Sequence, residues 1–84
     1  MKLYLISQTE NTDYDTYDAA VVVAESEEEA RQLDPGGKNG ELFVWRTAHF
    51  NNGWCSSPDQ VQVDYLGTTV VTRKGVICAS FNAG

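Results

Sequence analysis

Positive charge is scarce in this chain. Six lysines and arginines stand against twelve aspartates and glutamates, a net charge of −6. The six (Lys2, Arg31, Lys38, Arg46, Arg73 and Lys74) are scattered apart from one pair. Phosphate contacts need clustered basic side chains, so direct nucleic-acid binding is not expected. Cysteine is almost absent, with Cys55 and Cys78 alone. No C-x-x-C pair exists, and one histidine, His49, cannot complete a four-ligand zinc set with them. No apolar run approaches the ~20 residues of a membrane span. The opening "MKLYLISQTE" lacks the apolar core and cleavage site of a secretory signal. Reduced thiols and a cytoplasmic setting are therefore expected. Cys78 is expected as a small core residue of an apolar strand, and Cys55 in an exposed loop.

Apolar residues make up 42% of the chain, which is enough for a core and argues against disorder. Eighty-four residues hold one core, hence a single domain over residues 1–84. "KLYLIS" (2–7) has apolar side chains on both parities and predicts a strand covered on both faces. Residues 8–16 are polar and turn-forming. "YDAAVVVAE" (17–25) is a valine-rich second strand, antiparallel to the first.

"SEEEARQLDPGG" (26–37) carries the clearest local signal. Ser26 is an N-cap, and Glu29 three residues later completes a capping box. Three glutamates suit the positive end of the helix, Ala30 and Leu33 share its inner face, and Pro35 with Gly36 and Gly37 ends it. Residues 41–50 predict a third strand and residues 54–60 an irregular stretch. Residues 61–72 predict a strand with Val61, Val63 and Tyr65 on one face and a bulge or a bend at Gly67. Residues 76–81 predict a last strand, whose mixed parity suggests a central place. The fold class is α+β: an antiparallel sheet of four to five strands with one short helix on one face, in the order β-β-α-β-β-β.

Catalytic, cofactor and metal motifs fail on spacing. Asn11, Asp13 and Asp15 imitate the start of a calcium loop, but Thr16 stands where glycine is required and Val22 where glutamate is. "DPGGKNGE" (34–41) follows the helix instead of preceding one, so it is a stop signal and no phosphate loop. Cys55 and His49, with Asp59 as a notional third member, have no further support as a nucleophile pair. No enzyme activity, cofactor or metal is expected.

The distribution of acid is more informative. Glu10, Asp13, Asp15, Asp18, Glu25, Glu27, Glu28 and Glu29 fall within twenty residues that contain no basic residue. One reading is solvation, with the tyrosines packing at the sheet edge. The other is a contact surface for a basic partner. Tyr14 and Tyr17 would supply rigid amphipathic area, Asp13, Asp15 and Asp18 would steer the partner, and Glu27 and Glu28 would extend the patch. Trp45, Phe50 and Trp54 form an aromatic group around "NNG" (51–53). Most of it is expected in the core, with Trp54 as the candidate partner-facing anchor.

"MKLYLISQ" (1–8), "YDTYDAAVVVAESEEEAR" (14–31), "VQVDYLG" (61–67) and "GVICASFNAG" (75–84) together resemble a group of small proteins of phages and prophages. The resemblance covers roughly residues 1–31 and 61–84. These blocks are structural sequence, so no activity transfers with them. The resemblance implies a phage setting in the cytoplasm of a bacterial host. There, small acidic proteins often resemble inhibitors of host defence, anti-CRISPR proteins among them. The expected function is stoichiometric binding to a host protein or nucleoprotein complex through the acidic and tyrosine surface. The alternative is a homo-oligomeric phage accessory or structural protein, a homodimer through a sheet edge or the aromatic group.

Overall fold

The computed structural model describes residues 1–12, 14–45 and 53–82. Strands β1 (Lys2–Ser7), β2 (Thr16–Ala24), β3 (Gln62–Thr68) and β4 (Gly75–Asn82) form one antiparallel sheet in the order β3-β1-β2-β4. A six-residue helix, α1 (Glu27–Gln32), and a single 3₁₀ turn, Pro58–Gln60, complete the described elements. The α+β class, the antiparallel sheet and the one short helix are as expected; the sheet has four strands.

The helix starts as the residues predict. The Ser26 side chain accepts from the Glu29 N–H at 3.1 Å. The Glu29 carboxylate reaches one residue further back than expected and accepts from the Glu25 N–H at 2.9 Å. A helix this short cannot persist alone and is held by what it buries. Ala30 and Leu33 are buried against Tyr4, Ile6, Ala20, Val22 and Ala24 on one face of the sheet. Trp54, Cys55 and Val61 enter the same core from the segment before β3. Arg31 donates to the carbonyls of Pro58 and Val61, which ties the helix to that segment.

Three expectations are corrected. Residues 41–45 form no strand of the sheet. Leu42 makes one bridge to Leu33, and the Phe43 N–H donates to the Gln32 carbonyl. Phe43 and Trp45 pack against the core while Leu42 and Val44 face solvent; residues 46–50 lie outside the described residues. Second, β4 is an edge strand, not a central one. Its mixed parity arises because Val22 pairs with Val76 and Val21 with Cys78. Ile77 is thus the extra residue of a bulge, which shifts the alternation without any covering layer. Cys78 is accordingly exposed and Cys55 buried, the reverse of the expectation. Third, β1 is buried on one face only: Tyr4 and Ile6 face the core, while Leu3 and Leu5 are half-buried on the other side.

Of the bulge or bend expected at Gly67, a bulge is present. Leu3 pairs with Gly67 and Tyr4 with Tyr65, leaving Leu66 extra. Gly67 has φ +141°, a backbone state that side chains disfavour. At the start of β4, Gly75 has φ +133° and packs on the backbone of Gly40, so a β-carbon there would come within 2.9 Å of the Gly40 nitrogen.

Trp54 has no exposed surface, whereas Phe81 is 47% exposed. Replacing a fully buried tryptophan by alanine costs ~3–5 kcal/mol, and an 84-residue domain holds little more than roughly 5 kcal/mol in total. Trp54→Ala is therefore expected to leave the chain largely unfolded in urea-free buffer. Phe81→Ala should cost about 1 kcal/mol. Urea titration followed by circular dichroism measures both.

Candidate binding surface

Residues 8–15 connect β1 to β2, and side chains at the base of this connection hold its described residues. Gln8 is buried. Its amide donates to the carbonyls of Asn11 (2.7 Å) and Tyr17 (2.9 Å), and its oxygen accepts from the Asn11 N–H (2.8 Å). One glutamine thus supplies the partners that a strand neighbour would supply elsewhere. Residues 53–56 bind the same loop from the other side. The Asn11 side chain donates to the Trp54 carbonyl (2.9 Å) and the Tyr17 N–H to the Gly53 carbonyl (2.9 Å). The Glu10 carboxylate accepts from the Ser56 N–H (2.7 Å) and hydroxyl (2.8 Å).

Above this base the chain turns outward. Asp15 has φ +60°, a state that aspartate tolerates better than most residues, and its N–H donates to the Asn82 carbonyl. Thr16 is buried and its hydroxyl donates to the Tyr14 carbonyl. The result exposes Tyr14 (70%), Asp15 and Asp18 together. Asp18 is the extra residue where Tyr17 pairs with Phe81 and Ala19 with Ser80. Asp13 lies outside the described residues.

The remaining expected contact residues are elsewhere. Tyr17 is half-buried; its ring lies 4.7 Å from that of Phe81 and against Gly36, so it is packing and not a contact. Trp54 is a core residue and cannot anchor a partner. Trp45 packs against the same core: its ring lies on Phe43 at 4.5 Å and its N–H donates to the Gln32 side chain at 2.7 Å; Phe50 lies outside the described residues. Glu27 and Glu28 are exposed, but they sit beyond the far end of β2. That strand has nine residues and spans roughly 30 Å at about 3.3 Å per residue. Both glutamates also pair with Arg31, at 3.4 and 3.7 Å.

The acidic run is therefore divided. Beyond the far end of β2, Lys74 approaches Glu29 at 2.9 Å and Glu25 at 4.0 Å. The bond from the Glu25 N–H, then that from Lys74, holds the Glu29 carboxyl below its ordinary value, and Glu29 in turn raises Lys74. Surface pairs of this kind contribute ~0–1 kcal/mol, but they place the chain's own cations beside four of its carboxylates. At the other end of β2, Asp15 and Asp18 have no such ion pair among the described residues. Gln8, Glu10 and Lys74 do the positioning. Glu10 was visible only as one more acid of the run, and nothing in local pattern marks it as a bridge to Ser56.

No group of three or more histidine, cysteine, aspartate or glutamate side chains could hold a metal among the described residues. The Asn11 side chain, first in the calcium-like spacing, is engaged by the Trp54 carbonyl. His49, the notional partner of Cys55, lies outside the described residues. No helix among them is long and apolar enough to cross a membrane. No protein-family model, curated protein or solved structure matches the chain.

Burial, before the nearby Glu10 carboxylate, pushes the Cys55 thiol up to about 11. Cys55 stays protonated near neutrality, and only a thiolate alkylates readily. Iodoacetamide at pH 7.5 is expected to label exposed Cys78 promptly and Cys55 far more slowly. The Cys55 rate should climb with pH until it approaches about 11. Peptide mass spectrometry follows both sites.

Proposed function

We propose that the protein acts by binding, without catalysis, as a small phage-type inhibitor. It attaches stoichiometrically to a basic surface of a host defence protein or nucleoprotein complex in the bacterial cytoplasm. The observation that carries this reading is Tyr14 and Asp15, exposed on a loop whose base is held by Gln8, Glu10 and Asn11, with exposed Asp18 following in the first residues of β2. A loop already held in one shape loses little entropy on binding. A rigid tyrosine is a common centre of an interface, and carboxylates around it attract lysine and arginine that would otherwise meet phosphate. The likeness of the flanking blocks to small phage proteins supports the setting. Asp13, immediately before Tyr14 in the chain, belongs to the same proposal by sequence. Glu27 and Glu28 do not, because they lie at the opposite end of β2.

The alternative, a homo-oligomeric accessory protein, is supported by a different feature, the uncharged outer edge of β4.

Immobilised protein exposed to host lysate tests the inhibitor reading. The parent is expected to retain a basic protein or complex that elutes as salt rises, since exposed charges are screened over ~8 Å at physiological ionic strength. Asp15→Asn combined with Asp18→Lys should abolish retention; asparagine is chosen because it also accepts the positive φ at residue 15. Tyr14→Ala should weaken it by about 2 kcal/mol, on the order of thirtyfold in affinity. Equal retention by a folded Asp15→Asn, Asp18→Lys variant contradicts the proposal, as does retention indifferent to salt.

A further inference from the structure

The two edges of the sheet are protected unequally. An exposed strand edge presents unpaired N–H and C=O groups and invites pairing with another chain. β3 carries Asp64 and the Leu66–Gly67 bulge, both devices that discourage such pairing. β4 has only the bulge at Ile77, and beyond it the strand is regular on its own side. Residues 76–82 read "VICASFN", with no charge and no proline, and Ile77, Cys78, Ala79, Ser80 and Phe81 are all exposed.

We propose that the outer edge of β4 pairs antiparallel with β4 of a second copy of this chain. The two would meet about a twofold axis near Ala79, the middle of the strand, and join two four-stranded sheets into one of eight strands. Two features select a second copy over another occupant. First, the molecule carries −6, so two copies repel over most of their surface, and the uncharged β4 is where they can meet without opposing carboxylates. Second, antiparallel pairing about such an axis lays the Asn82 end of one strand beside the Gly75 end of the other. Asp15 lies at the Asn82 end, bonded to its carbonyl, and Asp18 lies beside Phe81. Of the two basic residues that immediately precede Gly75, Lys74 already pairs with Glu29 and Glu25 of its own chain, whereas Arg73 has no ion pair among the described residues. Asp15 and Asp18 of each copy thus come toward Arg73 of the other, twice by symmetry. A twofold axis perpendicular to the sheet also keeps each face in register with itself. The open face bearing Leu5, Val21 and Cys78 then continues across the seam, as does the helix-covered face.

A seam built on one strand is small. Interfaces under ~1,200 Å² of total buried area are weak, so the expected Kd is on the order of 10⁻⁵ M. Asp15 and Asp18 serve both proposals, but the two fail separately: pairing of β4 is read from the pure protein, and the basic partner at the Tyr14 tip from lysate capture.

Sedimentation velocity of the purified chain across a concentration series tests it. The parent is expected to pass from monomer to dimer. Ser80→Lys sets like charges close together across the axis and should raise Kd at least about tenfold, a change of roughly 1.4 kcal/mol. Arg73→Glu should weaken the dimer in the same direction. Asp64→Lys, on the opposite edge, should leave it intact, with circular dichroism confirming the fold of each variant. A parent that stays monomeric throughout overturns the proposal. So does a dimer that ignores Ser80→Lys, or one lost on Asp64→Lys, which would place the contact on β3.

Discussion

The burial of one side chain, Trp54, organises both halves of this molecule. The helix is only six residues long and the sheet has only four strands, so neither layer closes the core alone. The indole enters from an irregular segment, fully buried with Ile6, Val22, Ala30 and Leu33 around the same core. Hydrophobic burial is non-directional, but here it fixes where the backbone of residues 53–56 must run. That backbone is then within reach of residues 10–17, and Gly53, Trp54 and Ser56 each hold one of them. The shape of an exposed polar loop is thereby decided by an apolar residue more than thirty positions away.

This arrangement gives the acidic chain two ends with different roles. Where α1 begins, carboxylates act locally. Glu29 completes the cap and binds Lys74, Glu27 and Glu28 share Arg31, and the charge is spent within the molecule. Where β2 begins, Asp15 and Asp18 stand out beside Tyr14 with no cation of the chain paired to them among the described residues. The −6 is thus a poor description of either end, since what a partner meets is the local field within about a Debye length, ~8 Å.

Much of the scaffold was legible because its signals are local. Ser26 and Glu29 three apart, the valines of β2, the alternation from Val61 to Tyr65 and the glycine at 67 each have one favoured local outcome. The strand misreadings share one physical cause: parity alone shows neither what covers a strand's faces nor whether an apolar run joins the sheet. The sequence "VICASF" looked two-faced because Ile77 is an inserted residue, and "LFVW" looked like a strand although it lies against the end of the helix. The candidate site was half legible. Tyr14, Asp15 and Asp18 are where their polarity suggested. Trp54 and Tyr17 were misplaced because an aromatic residue in a polar context serves equally well as a core plug or a contact, and only long-range packing decides. Gln8 escaped notice, and Glu10 stood out only as one acid of the run, for the same reason: their partners are set by the fold.

Amide hydrogen exchange in Trp54→Phe tests most directly whether the seated tryptophan governs the loop. A phenylalanine keeps the core apolar but relaxes the path of residues 53–56. The N–H groups of Tyr17, Asn11 and Ser56 should then exchange faster than in the parent, while those of Leu5 and Val21 in the central strands keep their protection. Unchanged protection at Tyr17, Asn11 and Ser56, or equal acceleration at every amide, would contradict the account.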